Sequence, residues 1–521
     1  MPLARTYVPF GELQPDKAQY RDGGTLYLAK NAYPRTRQGD GSVTYGPWPA
    51  PLVFSDALTA RCQGAFAGRS SAGNVTIFAC DATKLYKLSS AAAWGDVTGT
   101  ALNVSASEHG EFCQFGDSVI FTEFQTNPQV WTLDSSSGFT DLGGTPPKAR
   151  HCAVIEPGFV MLGNLASYPN GVQWSAYNDA TSGSAWPTPG SSAAQAVQSD
   201  RTILPIGGWV NRIVGPVGGS KGAVIMDSAI YRVDYVQGLG LAFAAVVQGR
   251  GSIAPFSCVN VAISNSQTVT FMWCEDGAYA YDGTTAQPIG SQRVDQYVLN
   301  TLSAGRSQMH RIYGWQDPSR KIVGWQIPTA ATGNSAATVL FNWDTKSWSI
   351  LQPSAQETKP AEFGCQMLSL GYTLDGLDTL GYTLDTLPFS LDDRVWTGGA
   401  PQLAYFDSDH KLNYYSGSSL AAQFKTGQLS GSPGRRVFCA GIRPIGSALD
   451  GTNSVPRIKL YTADSANDTG TATTATTVGV DGVCPQRSSA RYLYAQMDID
   501  AGGTWQQAQG LEVVMREEGL R

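Results

Sequence analysis

A strand–turn–strand unit recurs along most of this chain, and it leaves few folds open. VTIFACDATKLYKL (75–88), SVIFTEFQTNPQVWTLD (118–134), AVIMDSAIYRVD (223–234), VTFMWCEDGAYAYDG (269–283) and QLAYFDSDHKLNYYSG (402–417) share it. Each sets an apolar strand, a turn of Asp, Asn, Gly or Ser, and a second strand rich in Tyr or Trp. The turn residues tolerate tight or left-handed backbone, and the β-branched and aromatic residues fit a pleated surface. Longer versions occur at 158–179 and 321–350. Most units follow another short apolar run: ARCQGAFAG (60–68), HGEFCQFG (109–116), ARHCAVIE (149–156), NRIVGPVGG (211–219), SCVNVAIS (257–264) or HRIYGWQ (310–316). A shorter fourth run often closes the unit, such as WGDVTG (94–99). Four strands per unit, at a spacing of roughly 40–60 residues, is the pattern of propeller blades, whose radial closure protects sheet edges. The expected fold is all-β: a β-propeller of six or seven blades over 56–427, with different structure at both ends. Residues 1–55, with YGPWPAP (45–51), read as an extended N-terminal arm. Residues 428–521 carry longer strand runs, such as RRVFCAGIRPIG and RYLYAQMDIDAG, and read as a C-terminal β-sandwich. Within that part, ADSANDTGTATTATT (463–477) reads as a long mobile loop.

Composition supports this reading and removes several functions. The 521 residues include 58 glycines and 28 prolines, and only 15% are charged, which suits many short strands and turns. Net charge is −6 with no polybasic run, so sequence-specific nucleic-acid binding is not expected. The opening MPLARTYVPFGELQPDK lacks the apolar core of a signal peptide. The longest apolar run, GLGLAFAAVV (238–247), is about half a membrane span, so a soluble protein without a membrane span or export signal is expected. Nine cysteines include no CxxC pair and many sit in strand-like runs such as TIFAC and FMWC. They read as small hydrophobes, not as a zinc site or disulfide framework.

Motifs for chemistry are sparse. The four histidines, His109, His151, His310 and His410, show no metal-ligand spacing, and His410 falls in a turn. No nucleophile elbow, Walker loop or dinucleotide fingerprint is present; PVGGSKGA (216–223) lacks the P-loop spacing. Sialidase-like propellers repeat an S-x-D-x-G-x-x-W turn, which neither DSSSGFTDL (134–142) nor WCEDGAYAY (273–281) matches. Arginines look scattered, although carboxylates from different blades could still meet across a propeller axis. The expectation is no catalytic residue, no metal ligand, no cofactor and no enzyme activity.

One stretch resists assignment by motif: GYTLDGLDTLGYTLDTLPFSLDD (371–393). Leucines 370, 374, 377, 380, 384, 387 and 391 step like one face of a helix. Gly371, Gly376 and Gly381 would each cost a helix about 1 kcal/mol, and Pro388 about 3. The aspartates lack the order and distal Glu of a calcium loop. The expectation is a non-helical chain of turns in which Leu374, Leu377, Leu384 and Leu387 are packing or interface pegs. They would seat on the chain's own propeller or on a neighbouring subunit, since left in water they would form a large apolar patch.

The run NAYP…TYGPWPAPLVF…RCQGAFAG (31–68), KLYKL with WGDVTG (84–99), VLFNWDTKSWSIL (339–351) and the block 370–417 together resemble the tail hub or nozzle proteins of short-tailed bacteriophages, the packaged-DNA stabilisation family. The resemblance implies a structural virion protein, assembled in the host cytoplasm into a homo-hexameric ring below the portal and tail adaptor. Such a ring would extend the DNA-exit channel, retain packaged DNA without sequence-specific binding, and dock tail fibres or spikes. It brings no catalytic residues. The alternative reading is a carbohydrate-binding or carbohydrate-cleaving propeller, such as a receptor-binding tail protein. That alternative requires aromatic and acidic side chains to converge on one end of the propeller.

Overall fold

The hairpin of Val75–Cys80 and Leu85–Leu88 sits in the middle of a four-stranded antiparallel sheet, between Gly64–Arg69 and Trp94–Asp96. This is the first of seven such four-stranded units among the described residues of a computed structural model of the chain, six of them separate sheets and one the end of a ten-stranded sheet. The model describes residues 3–17, 24–264, 267–355, 358–370, 401–429, 435–451, 453–465 and 468–518. The second to fifth blades run over 111–141, 149–203, 210–248 and 259–288, each in simple up-and-down order. The sixth is Tyr313–Asp317, Ile322–Ile327, Ala337–Asn342 and Ser347–Leu351. The seventh takes three strands, Ala361–Leu368, Pro401–Asp407 and Lys411–Ser419, from late in the chain and its outermost strand, Pro49–Ala57, from the beginning. The ring is thus closed by pairing the two ends of the propeller, with Leu52 opposite Tyr414 and Val53 opposite Asn413. An all-β propeller of seven blades is the fold of this chain.

The first strands of neighbouring blades pack side by side around the axis. Alternation within blades sends apolar residues into the spaces between them. Phe78, Trp131 and Phe139 meet edge-on between the first two blades, and Met272, Cys274 and Tyr281 join Val224's neighbours Ala223 and Ile225 between the fourth and fifth. All nine cysteines are buried, Cys62 in a link between strands and the others in a strand or at a strand end, and burial raises the thiol pKa of Cys62, Cys80 and Cys365.

Within residues 1–55, read as an extended arm, the described residues form strands that pair along much of their length. Ala4–Pro9 and Val43–Pro47 lie against Gln507–Glu517, and Leu26–Lys30 pairs with Ala422–Gln428. They complete a two-sheet sandwich with the C-terminal strands Val437–Ser447, Arg457–Ala463, Cys484–Ala490 and Tyr492–Ile499. Its core stacks Phe10 on Phe424 at 5.1 Å, with Tyr45 and Trp505 against the same ring. One sandwich sheet continues into the sixth blade, where Lys30 pairs in parallel with Ile350. The stretch expected as a mobile loop, 463–477, includes two short strands, Thr471–Ala472 and Thr476–Thr477, that pair with Arg457–Ala463.

Candidate functional site at the axial mouth

In an up-and-down blade, the chain enters the innermost strand from one face of the disc, and the turn between the second and third strands lies on that same face. The seven entries here bring an unusual set of side chains together at the axis. The first blade supplies Arg61 and Gln63, the second Glu108, His109 and Glu111, the third Arg150 and His151, and the fourth Arg212. Phe256 precedes the fifth, Arg311 and Tyr313 open the sixth, and Glu362 and Phe363 open the seventh.

The floor is aromatic. His109 Nε2 lies 2.6 Å from the Tyr313 hydroxyl, and its ring is 4.6 Å from Phe256 and 6.2 Å from Phe363. Tyr313 and Phe363 are 4.6 Å apart. Four blade entries therefore meet on one histidine. Burial pushes the His109 pKa well below its usual range, and Arg61, His310 and Arg311 push it the same way. Burial also raises the phenol of Tyr313. The contact is therefore a hydrogen bond between neutral groups. His310 is likewise held low, by burial and then by Arg311.

Charged groups stand around this floor. Glu111, 4% exposed, bridges two blades: its Oε2 is 2.8 Å from His151 Nδ1, and its Oε1 is 2.6 Å from Arg212 Nη1. The Arg212 guanidinium also covers the Phe256 ring at 5.1 Å. Arg150 pairs with Glu108 at 2.9 Å and lies over Phe124. Arg311 donates to the Ala106 carbonyl at 2.6 Å and to the Thr332 carbonyl. Arg61 donates to the Glu362 carbonyl at 3.4 Å. Glu362 Oε2 meets His410 Nδ1 at 2.7 Å, and burial raises its pKa despite that contact and Arg61. The Nε atoms of Arg61, Arg150, Arg212 and Arg311, and Nε2 of His310, are buried without an acceptor among the described residues.

Beside the mouth, PIGGWV (205–210) presents a ring to solvent. Gly207 and Gly208 have φ of +111° and +85°, where a side chain is strained. A Cβ on Gly208 would also meet the Asp227 carboxylate. That carboxylate accepts from Trp209 N at 2.8 Å and Asn211 Nδ2 at 2.7 Å, fixing the turn. Trp209 is 56% exposed, three residues before Arg212.

The arginines that look scattered in sequence are gathered by radial repetition, and His410, in its turn, is engaged by Glu362. The candidate pegs Leu374, Leu377, Leu384 and Leu387 lie outside the described residues. Among the described residues no set of three or more His, Cys, Asp or Glu is grouped to hold a metal, and no helix is long and apolar enough to cross a membrane.

No protein-family model and no curated protein matches the chain. A crystal structure of selenomethionine-substituted virginiamycin B lyase from Staphylococcus aureus is similar in fold, with 9% identity and a TM-score of 0.41, covering 70% of this chain and 98% of that one. That protein is a bacterial lyase and not a phage tail protein, and the comparisons turn against the tail-nozzle resemblance. The expectation of no enzyme activity is corrected likewise, because the protein found similar in fold is an enzyme. At that identity the likeness transfers no activity, and this chain is an all-β, propeller-shaped protein.

Proposed function

We propose that this protein binds acidic carbohydrate at the axial mouth of its propeller. The observation that carries the reading is the convergence of seven blade entries. Arg61, Arg150, Arg212 and Arg311, drawn from four blades, stand around an aromatic floor. Guanidinium groups recognise carboxylates by charge-assisted hydrogen bonds, and a flat aromatic face suits the apolar face of a sugar ring. Trp209 supplies an exposed ring just before the strand that carries Arg212. The Glu111–His151 contact favours a second reading, in which the bound sugar is also cleaved through proton transfer.

Calorimetric titration with tri-galacturonate and with neutral cellotriose tests the proposal. The acidic sugar should bind at one site, at least about ten-fold more tightly, and weaken as salt is raised. Arg61→Ala and Trp209→Ala should each lower affinity while leaving the melting temperature near wild type. Equal affinity for the two sugars, or no binding of either, would sink the reading. New reducing ends appearing with wild type and not with Glu111→Gln would establish cleavage.

A further inference from the structure

We propose a second binding site, in the cleft between the fifth and sixth blades, for a small carboxylate with an aromatic or apolar body. The cleft has a volume of about 500 Å³. Protein interiors leave few voids larger than a water molecule, whereas small-molecule pockets run from roughly 300 to 1,000 Å³. Its origin is visible in the chain. The connection between these two blades, residues 289–312, is longer than any other blade-to-blade link and carries three short helical turns. Its first residues line the opening.

The chemistry of the cleft is one-sided. Phe271 of the fifth blade and Phe341 of the sixth form the inner wall, ring centroids 5.7 Å apart, with Trp343 beside them at the opening. Arg293 and Lys346 share one rim, and Arg293 Nη1 donates to the Lys346 carbonyl at 3.2 Å. Glu12 stands 2.9 Å from Arg293 and balances its charge. Lys346 is exposed and has no ion-pair partner among the described residues. The carboxylate on the lining, Asp282, is engaged by the amides and hydroxyls of Thr284 and Thr285 in its own turn. A ligand that buries a ring against Phe341 and Trp343 would place its anionic end at Lys346. An uncharged ring would leave that ammonium unmatched. The turn holding Lys346 is preorganised: Asn342 Oδ1 accepts from Asp344 N at 2.9 Å and Thr345 N at 3.0 Å. The site is separate from the axial mouth, and neither proposal depends on the other.

The test uses 2-naphthoate on the full-length protein, with 2-naphthol as its uncharged counterpart, followed by equilibrium fluorescence and by chemical-shift or crystallographic location. Naphthoate should saturate one site per chain and bind at least ten-fold more tightly than naphthol. Lys346→Glu, on an exposed turn, should weaken it ten-fold or more at unchanged melting temperature, and Trp343→Ala should weaken it by as much. Arg61→Ala at the axial mouth should have no effect. Equal binding of naphthol, loss of binding with Arg61→Ala, or indifference to both cleft variants would overturn the assignment.

Discussion

Asp295 is buried where a carboxylate is hard to ionise. Its side chain fits against Gly277 and Gly290, where a Cβ on either would overlap the carboxyl group, and it accepts from Ala278 N at 3.2 Å. Burial lifts its pKa to about 7, with Asp16 and Asp276 adding in the same direction. The native state therefore holds a proton that the unfolded chain has already lost between about pH 4 and 7. This contribution to stability is present at low pH and disappears as pH rises through about 7. Asp295→Asn should leave the stability little changed at pH 4 and raise it progressively towards pH 8, by up to about 4 kcal/mol. A pH series of thermal melts on both proteins checks this; a gain that shrinks as pH rises contradicts it. His109 has the opposite sign. Its folded pKa is depressed, so the unfolded chain takes up a proton first, and stability falls as pH drops below about 6.5. Glu111 is sensitive to mutation because two partners, His151 and Arg212, depend on it. Replacing Glu111 by Ala should cost about 3–5 kcal/mol in denaturant unfolding, the usual loss on breaking a buried pair.

At the scale of elements, the closing strand Pro49–Ala57 does more than finish a sheet. Phe54 packs edge-on against Tyr414 at 4.9 Å, and Ser55 Oγ accepts from both Trp94 Nε1 at 3.0 Å and Leu412 N at 3.1 Å. One strand therefore ties the seventh blade to the first. Phe54→Ala should destabilise by about 3–5 kcal/mol, the range for truncating a buried phenylalanine. If the strand were a loosely attached arm, the same change would cost well under 1 kcal/mol. Denaturant midpoints of the full-length variant separate these outcomes. The hairpins of the blades were legible in sequence because each combines period-2 strands with a turn residue at a fixed place. This closing strand was not, since Pro49 and Pro51 interrupt its pattern and its partners lie some 360 positions away.

For the whole molecule, Asn31 joins three parts. Its backbone N–H donates to Ile350 O at 2.8 Å, its Oδ1 accepts from Gln352 N at 2.7 Å, and its Nδ2 donates to Ala421 O at 2.8 Å. It is 2% exposed, with a left-handed φ of 57°. Sixth blade, sandwich and N-terminal strands thus share one hydrogen-bonded sheet, and propeller and sandwich should unfold in one calorimetric transition. Two resolved transitions in the wild type would show that this joint is weak. Asn31→Ala should lower the transition and broaden or split it, because it strands buried polar groups on both sides. Charge also divides at this scale. A net charge of −6 gives no sign of the four arginines gathered at the axis.

The sequence by itself determined the class of fold and its repeat. Alternating strands, turn residues and aromatic second strands are local properties, fixed by backbone sterics and by which residues suit a pleated surface. It also carried a trace of the site. Of the runs that open the blades, RCQG, HGEF, RHCA, NRIV and HRIY each have an arginine or histidine in the first or second place. Only the tertiary structure decided what that trace meant. A propeller puts the same position of every repeat on one axis, so residues some 50 positions apart in sequence become neighbours. It also decided that the first strands belong to the last blade and to the sandwich. Pairings between distant segments are set by the surface each must bury, and no local pattern encodes that choice.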